Sequence, residues 1–122
     1  MLQTEDLSEA LKTLRIAGVF DEYVLHTAIA DLFDGRGIPY VKEASLGRYA
    51  RVDFLVDNRF AIEVKHTRPP RQTLLRQLKR YADSDTVQEV FLVTERSVNL
   101  PGSINGKPLH IIVLNRLWGV AL

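Results

Sequence analysis

Two carboxylates and a lysine stand out in residues 51–65, RVDFLVDNRFAIEVK, because each interrupts a short apolar run. Strand side chains alternate between faces, so Glu63 and Lys65 share a face if 60–65 is a strand. A hairpin turn centred on Asn58 would place Asp53 opposite Glu63. Two carboxylates directly across a strand pair repel each other, and a cation between them would reverse that penalty. The spacing therefore predicts a divalent-cation site, with the Lys65 ammonium facing whatever the cation binds.

A helix predicted over residues 20–33 supplies a third carboxylate. At 100° per residue, Glu22 falls in the middle of an apolar and aromatic arc. The arc contains Val19, Tyr23, His26, Ile29, Ala30 and Phe33. A carboxylate that faces a core is costly unless it is paired or metal-bound, so Glu22 is a candidate for the cation site. A salt bridge, or exposure at the helix end, is the alternative. His26 is more typical of a core histidine and is kept only as a candidate neighbour of a phosphate or metal.

A helix predicted from about Arg71 to Ala82 follows the hairpin, with a buried stripe of Leu74, Leu75, Leu78 and Ala82. Gln77 and Tyr81, one turn apart, border that stripe and could reach a cleft together. A polar boundary pair without a role is the plainer interpretation of these two residues taken alone.

Basic residues are concentrated on one part of the chain. Residues 65–80 hold six Lys or Arg and no acid, although the net charge of the whole chain is only +1. This distribution favours a surface that meets a polyanion on one side, whereas a solvated helix face is the plainer alternative. The candidates for phosphate contacts are Arg48, Arg51, Arg68, Arg71, Arg76, Lys79 and Arg80.

The composition excludes several classes of site. The 122 residues contain no cysteine, which rules out disulfides, thiolate zinc sites and iron–sulfur clusters. No run approaches the ~18 apolar residues of a membrane span. The N-terminal sequence lacks a signal-peptide pattern, so a cytoplasmic location is expected.

The order of predicted elements favours an α/β fold. Helices are predicted at 4–15, 20–33 and 71–82, strands at 38–44, 51–56, 60–65, 87–94 and 109–114, and a short apolar tail at 115–122. The first three strands can pair antiparallel through short loops, and the strand after the helical crossover should pair parallel to a neighbour. We expect one domain over 1–122, with a mixed sheet of about five strands flanked by helices in the order α-α-β-β-β-α-β-β.

The hairpin resembles the signature of a known nuclease superfamily. Asp53, a gap of nine residues and then Glu63-Val64-Lys65 is similar to the PD-(D/E)XK motif. That superfamily includes restriction endonucleases, archaeal-type Holliday-junction resolvases and RecB-like exonucleases. Val52 stands where the usual proline would precede the aspartate. The resemblance implies a restriction-endonuclease-like core.

Two further elements strengthen this resemblance, which covers roughly residues 20–94. Glu22 resembles the acid that many members carry on the helix before the sheet. Gln77 and Tyr81 are similar to the Q-x-x-x-Y element of RecB-like members.

The resemblance implies the roles of the site residues. Asp53 and Glu63 would hold Mg²⁺ or Mn²⁺ with the Val64 backbone carbonyl, and Glu22 would complete that site or hold a second ion. Lys65 would orient the attacking water and stabilise charge on the phosphate. Gln77 and Tyr81 would position the nucleic-acid backbone.

The implied activity is metal-dependent hydrolysis of phosphodiester bonds in DNA. Nearly the whole chain is consumed by the core, so we expect a structure- or end-directed enzyme rather than a sequence-specific one. The small size and the apolar tail 111–122, with Trp118, favour a homodimer or larger assembly. The alternatives are a dimeric Holliday-junction resolvase, a non-cleaving nucleic-acid-binding subunit on the same fold, and a small structural or partner-binding protein with incidental hairpin charges.

Overall fold

The computed structural model describes residues 1–67 and 69–119. Helices α1 (Thr4–Lys12) and α2 (Glu22–Arg36) precede the strands β1 (Tyr40–Ser45), β2 (Arg51–Val56) and β3 (Phe60–Lys65). Helix α3 (Arg71–Ala82) leads to β4 (Glu89–Thr94), β5 (Ser103–Ile104), β6 (Lys107–Val113) and the one-turn helix α4 (Leu114–Leu117). The bounds of β2, β3 and α3 agree with the predicted ones.

The strands form one mixed sheet of six, in the order β1-β2-β3-β4-β6-β5. Neighbours in the meander β1–β2–β3 are antiparallel, and β4 lies parallel to β3 after the α3 crossover. Strand β6 is parallel to β4 and antiparallel to the two-residue β5. The predicted α/β class and mixed sheet are confirmed. The sixth strand, β5, arises in the segment predicted to be a loop.

Helices cover both faces of the sheet. Leu11 of α1 and Phe33 of α2 pack with Ile62 on one face. Leu78 of α3 packs with Ala61 and other side chains on the opposite face. Because β3 and β4 are buried on both faces, their sequences are continuous apolar runs rather than alternating ones. A charged residue within such a run, such as Glu63, therefore lies in the protein interior.

The start of α2 corrects the predicted apolar arc. Asp21 caps the helix by accepting the Val24 amide at 2.9 Å, so the helix begins at Glu22. Leu25, Ile29, Ala30 and Phe33 are its buried residues. Val19 and Tyr23 are exposed at 104% and 78%, so the prediction was wrong for the first part of the arc.

Strands β1 and β2 change face at the level of Glu43 and Asp53. In β2, Phe54 packs under α1 and α2, whereas Val52 packs under α3, although regular alternation would put both on one face. The β1–β2 pairing skips the position of Glu43 and Asp53, and Glu43 has φ 48°, in the left-handed region. This break sets Asp53 apart from both cores.

The apolar tail packs on its own fold as far as it is described. The Trp118 indole donates to the Leu14 carbonyl at 2.8 Å and meets the Phe20 ring edge-on at 5.7 Å. Trp118, which was expected to favour an assembly, therefore packs on its own fold. The remainder of the tail, 120–122, lies outside the described residues. Among those described, no helix combines the length and apolar character that a membrane crossing needs.

Candidate metal and nucleic-acid site

Strand β3 brings a buried glutamate and a lysine together. Glu63 is only 2% exposed, and its Oε2 lies 3.0 Å from Lys65 Nζ. Both side chains leave β3 on the same face, as the spacing predicted. Because β3 lies between β2 and β4, neither strand edge offers Glu63 open access to water. The pair is therefore a partly buried ion pair rather than a surface one.

The neighbouring strand places a second carboxylate beside this pair. Val56 pairs with Phe60 as predicted, and the observed register runs to Phe54 opposite Ile62, one position before Asp53 and Glu63. Asp53 Oδ2 accepts the Val64 amide at 2.8 Å. The N–H and C=O of a strand residue point to the same side, so the Val64 carbonyl also faces the Asp53 side. Two carboxylates and a backbone carbonyl thus meet between β2 and β3.

The environment resists ionisation of both acids. Burial and, to a smaller extent, the neighbouring Asp53 raise the pKa of Glu63 to about 7, although Lys65 and Tyr81 act in the opposite direction. Burial also raises the pKa of Asp53, against the hydrogen bond from Val64. Desolvation is the largest cause in each case. Repulsion by Asp53 adds to it for Glu63, whereas a hydrogen bond with Glu63 lowers the pKa of Asp53. A cation bound between the two groups would remove both penalties.

Tyr81 contacts the Glu63 carboxylate oxygen that Lys65 does not contact. Its hydroxyl lies 3.0 Å from Glu63 Oε1 and 3.1 Å from the Arg51 carbonyl oxygen, and its side chain is only 1% exposed. Gln77 acts to lower the pKa of the Tyr81 hydroxyl, against the larger effect of burial, which raises it. Tyr81 therefore belongs to the buried stripe of α3, whereas Leu75 is only partly buried. The predicted border position was wrong for Tyr81, which reaches the site through Glu63.

Glu22 lies beside the site but does not face the core. It is the exposed first residue of α2, and its Oε1 accepts the His66 amide at 3.4 Å. Its charge nevertheless reaches the pKa of both Asp53 and His26. The prediction that Glu22 points into an apolar core was wrong, because the helix starts there, and exposure at the helix end is what is found.

The donor set fits a hard cation with few protein ligands. In the described ranges, no group of three or more His, Asp or Glu side chains is arranged to hold a metal. Mg²⁺ commonly uses one or two carboxylates and takes its remaining ligands from water and substrate phosphates. Asp53, Glu63 and the Val64 carbonyl fit that kind of site. These residues do not form a site in which protein groups, including Glu22 as a third carboxylate, supply all the ligands.

His26 was undervalued from the sequence. Its Nε2 lies 3.7 Å from Asp53 Oδ2 and has no hydrogen-bond partner among the described residues. Burial lowers the pKa of His26, although Glu22 and Glu63 act against that shift. A cavity of about 570 Å³ opens beside it, lined by Glu22, Tyr23, His26, Lys42 and Glu43. The only signal in the sequence was its place one turn after Glu22.

A second cavity lies beyond the end of β3. It measures about 440 Å³ and is lined by His66, Thr67, Glu95 and Arg96. His66 Nδ1 lies 2.7 Å from Glu95 Oε2, and the same residue's amide contacts Glu22. Glu22 therefore lies between the two cavities. No spacing in the sequence pointed to His66 and Glu95, which meet through the parallel pairing of β3 with β4.

The predicted phosphate contacts are all on the surface where they are described. Arg48, Arg51, Arg71, Arg76, Lys79 and Arg80 are exposed, and Arg68 lies outside the described residues. Arg71 donates to the Asn99 carbonyl at 2.8 Å, which holds the loop after β4. Arg51 is linked to the site by a hydrogen bond, because its backbone carbonyl accepts from the Tyr81 hydroxyl.

Comparison with known proteins adds no family. No protein-family model, curated protein or solved structure matches the chain.

Proposed function

We propose that this protein is a divalent-metal-dependent nuclease that hydrolyses phosphodiester bonds of DNA on a restriction-endonuclease-like core. The observation that carries the proposal is the proximity of the partly exposed Asp53 to the buried Glu63, with the Lys65 ammonium 3.0 Å from Glu63. Cleavage would be directed by the structure or the ends of the DNA rather than by its sequence. The described helices and strands build the sheet and the layers that pack on it. The PD-(D/E)XK resemblance supports the same activity.

The energetic cost of the site supports a chemical role. Burying carboxylates beside each other costs free energy unless each is compensated, and Lys65 alone supplies one positive charge for two acids. A structural role in the sheet could be filled by apolar residues without that cost. A native-state cation between the carboxylates provides the missing charge.

The donors favour Mg²⁺ or Mn²⁺ over softer metals. Asp53, Glu63 and the Val64 carbonyl offer oxygen only, which suits hard cations. A bound cation of this kind lowers the pKa of a water and neutralises charge that develops on the phosphate.

The side chains around the carboxylates would divide the remaining work. Lys65 would hold a phosphate oxygen and orient the attacking water. Tyr81 would fix the orientation of Glu63 by its hydrogen bond to Oε1. His26, at the wall of the larger cavity, would lie against the substrate next to Asp53. Exposed Arg and Lys side chains would add salt-dependent affinity for phosphates.

A cleavage assay with matched variants tests the proposal. Labelled duplex, single-stranded and four-way-junction DNA would be incubated with Mg²⁺, with Mn²⁺ and with chelator. We expect cleavage only with metal, and its loss in Glu63→Gln. Asp57→Asn is the control, because Asp57 is paired with Arg59 at 3.1 Å in the β2–β3 turn and takes no part in the site.

Three results would contradict or redirect the proposal. Cleavage that survives chelator or Glu63→Gln would indicate another mechanism or a contaminant. Binding without cleavage would favour the non-cleaving subunit. Paired cuts confined to the four-way junction would favour the resolvase.

The assembly and location remain parts of the proposal. We propose a homodimer or larger assembly in the cytoplasm, where DNA and Mg²⁺ are available. Because Trp118 packs on its own fold, the apolar tail does not support a dimer. The small size of the chain is the remaining support for this proposal. A monodisperse monomer in sizing with light scattering at micromolar concentration would end the dimer proposal.

A further inference from the structure

The loop between β1 and β2 displays an aromatic ring to solvent. The loop 46–50 is closed by a hydrogen bond from the Leu46 amide to the Ala50 carbonyl at 2.8 Å. Within it, Tyr49 is 82% exposed. Its backbone lies in the left-handed region, with φ 67°. A large ring is thus held outward on a backbone conformation that bulky residues rarely adopt.

The fold alone does not call for a tyrosine at this position. Gly, Asn and Asp take the left-handed region most readily, and a bulky residue there marks strain. Because the ring is exposed to water, no burial of apolar surface offsets this strain. Strain retained at one residue is a reason to look for a function of its side chain. The ring of Tyr49 is the candidate.

The backbone of Tyr49 lies close to the carboxylate site. Arg51 follows two residues after Tyr49, so the two Cα atoms are at most about 7 Å apart. The Arg51 carbonyl lies 3.1 Å from the Tyr81 hydroxyl, which is itself 3.0 Å from Glu63 Oε1. Arg48 and Arg51, on either side of Tyr49 in the chain, are both exposed. An exposed aromatic residue, flanked in the chain by two exposed cations, therefore lies near the site.

A second exposed ring borders the site from α2. Tyr23 is 78% exposed and lines the larger cavity together with His26. His26 Nε2 is 3.7 Å from Asp53 Oδ2, so this cavity adjoins the carboxylates. Tyr23 belongs to α2 and Tyr49 to the β1–β2 loop, so the two rings approach from different elements.

We propose that the substrate is single-stranded nucleic acid, whose bases stack on Tyr49 and Tyr23 while Arg48 and Arg51 contact its phosphates. Bases in an intact duplex are stacked on one another, whereas those of a single strand are free to stack on aromatic side chains. Basic side chains interspersed with exposed rings are the combination that binds single strands without sequence preference. This inference rests on the proposed nuclease function and specifies its substrate.

Binding measurements separate the ring from the rest of the site. The background is Glu63→Gln, and the probes are labelled single-stranded DNA, single-stranded RNA and a duplex closed by hairpins at both ends. We expect tighter binding of one or both single strands than of the duplex. Tyr49→Asn should weaken single-strand binding roughly 5- to 150-fold, and Tyr49→Phe should retain it. Duplex binding should not change in either variant.

Two controls keep the result interpretable. Asn is favoured in the left-handed region, so Tyr49→Asn should melt at the same temperature or higher, which excludes unfolding as the cause of lost binding. Val41→Ala removes another exposed apolar side chain, 57% exposed on the edge strand, and should leave binding unchanged. The DNA and RNA arms identify which single strand is bound.

The outcomes distinguish this inference from the proposed function. Equal affinity for single strands and duplex, or equal binding by Tyr49→Asn and Tyr49→Phe, would overturn it. Metal-dependent cleavage together with either result would leave the nuclease proposal standing. Ring-dependent single-strand binding without cleavage would support the binding surface and reject the nuclease.

Discussion

Glu63 is held by a different group on each oxygen. Lys65 Nζ lies 3.0 Å from Oε2, and the Tyr81 hydroxyl lies 3.0 Å from Oε1. These contacts orient the carboxylate, yet burial and Asp53 still raise its pKa to about 7. The residue is therefore close to the point at which a small change in its surroundings alters its charge.

Replacing the second carboxylate tests the repulsion. Asp53→Asn should keep the acceptor for the Val64 amide and remove the like charge beside Glu63. We expect metal-free stability to rise by roughly 1 kcal/mol, measured as melting temperature in chelator. If the proposed site binds Mg²⁺ or Mn²⁺, that metal should raise the melting temperature of the wild type by mass action, and Asp53→Asn should lose this increase. Asp57→Asn should show the wild-type metal effect; an equal metal effect in Asp53→Asn would exclude Asp53 as a ligand.

The raised pKa of Glu63 predicts a pH dependence of stability. An ordinary glutamate ionises near 4.5, whereas Glu63 in the folded protein does so at about 7. The folded state binds the proton more tightly, so its stabilising effect is full below 4.5 and is lost as pH rises through 7. The expected loss is roughly 3 kcal/mol in chelator. Glu63→Gln should not lose stability in this way. Urea denaturation at several pH values between 4.5 and 7 gives the free energy of unfolding of both proteins. An equal dependence on pH in both proteins would contradict the raised pKa of Glu63.

At the residue scale, the sequence predicted the hairpin acids well and the helix acids poorly. Asp53, Glu63 and Lys65 were placed correctly because strand alternation and a tight turn fix their relative positions within a few residues. Glu22 was misplaced because its orientation depends on where α2 begins, and that is decided by the Asp21 cap. The proximity of His26 to Asp53 depends on how α2 lies on the sheet, which no local pattern records.

Helix α3 contributes to the site through one buried hydroxyl. Tyr81 is fixed among the core residues of α3, and its hydroxyl joins the Arg51 carbonyl to Glu63. Its stripe was predicted correctly in Leu74, Leu78 and Ala82 and wrongly in Tyr81, since hydrophobicity alone does not identify a buried hydroxyl that has partners. This helix therefore links the surface of β2 to the interior acid on β3.

Removing that hydroxyl tests the link. Tyr81→Phe should destabilise the protein by about 1.5–3 kcal/mol, because a hydrogen bond to a charged group is lost. The hydrogen bond from Tyr81 lowers the pKa of Glu63, so its loss should move that pKa higher. The acidic limb of the cleavage–pH profile should then shift to higher pH. Tyr40→Phe, which removes an exposed hydrogen bond to Asp34, is the control; an unshifted limb in Tyr81→Phe would contradict the coupling.

The charge distribution of the whole molecule favours one binding face. The net charge is +1, yet Lys79 and Arg80 of α3 and Arg51 of β2 are exposed near the Tyr81 end of the site. Phosphate contacts release counterions, so they set the salt dependence of binding. The overall charge of the chain carries no such information.

Paired charge removal tests that face. Lys79→Gln with Arg80→Gln should weaken single-strand binding and reduce the slope of log affinity against log salt by up to about 1.4. Lys12→Gln with Arg36→Gln, at the ends of α1 and α2, is the matched control and should leave the slope unchanged. Binding isotherms at several salt concentrations give both slopes. A smaller slope in the control pair alone would assign the phosphates to the other face.

The position of β3 between β2 and β4 has a consequence for the growing chain. The β2–β3 hairpin is local and can form as soon as it leaves the ribosome, but the strand that pairs with the far edge of β3 is made only after α3. A nascent chain that ends before β4 leaves one edge of β3 without its neighbour, so Glu63 should be more hydrated there than in the folded protein. The raised pKa of Glu63, which comes mainly from its burial, should therefore develop only after translation has supplied β4.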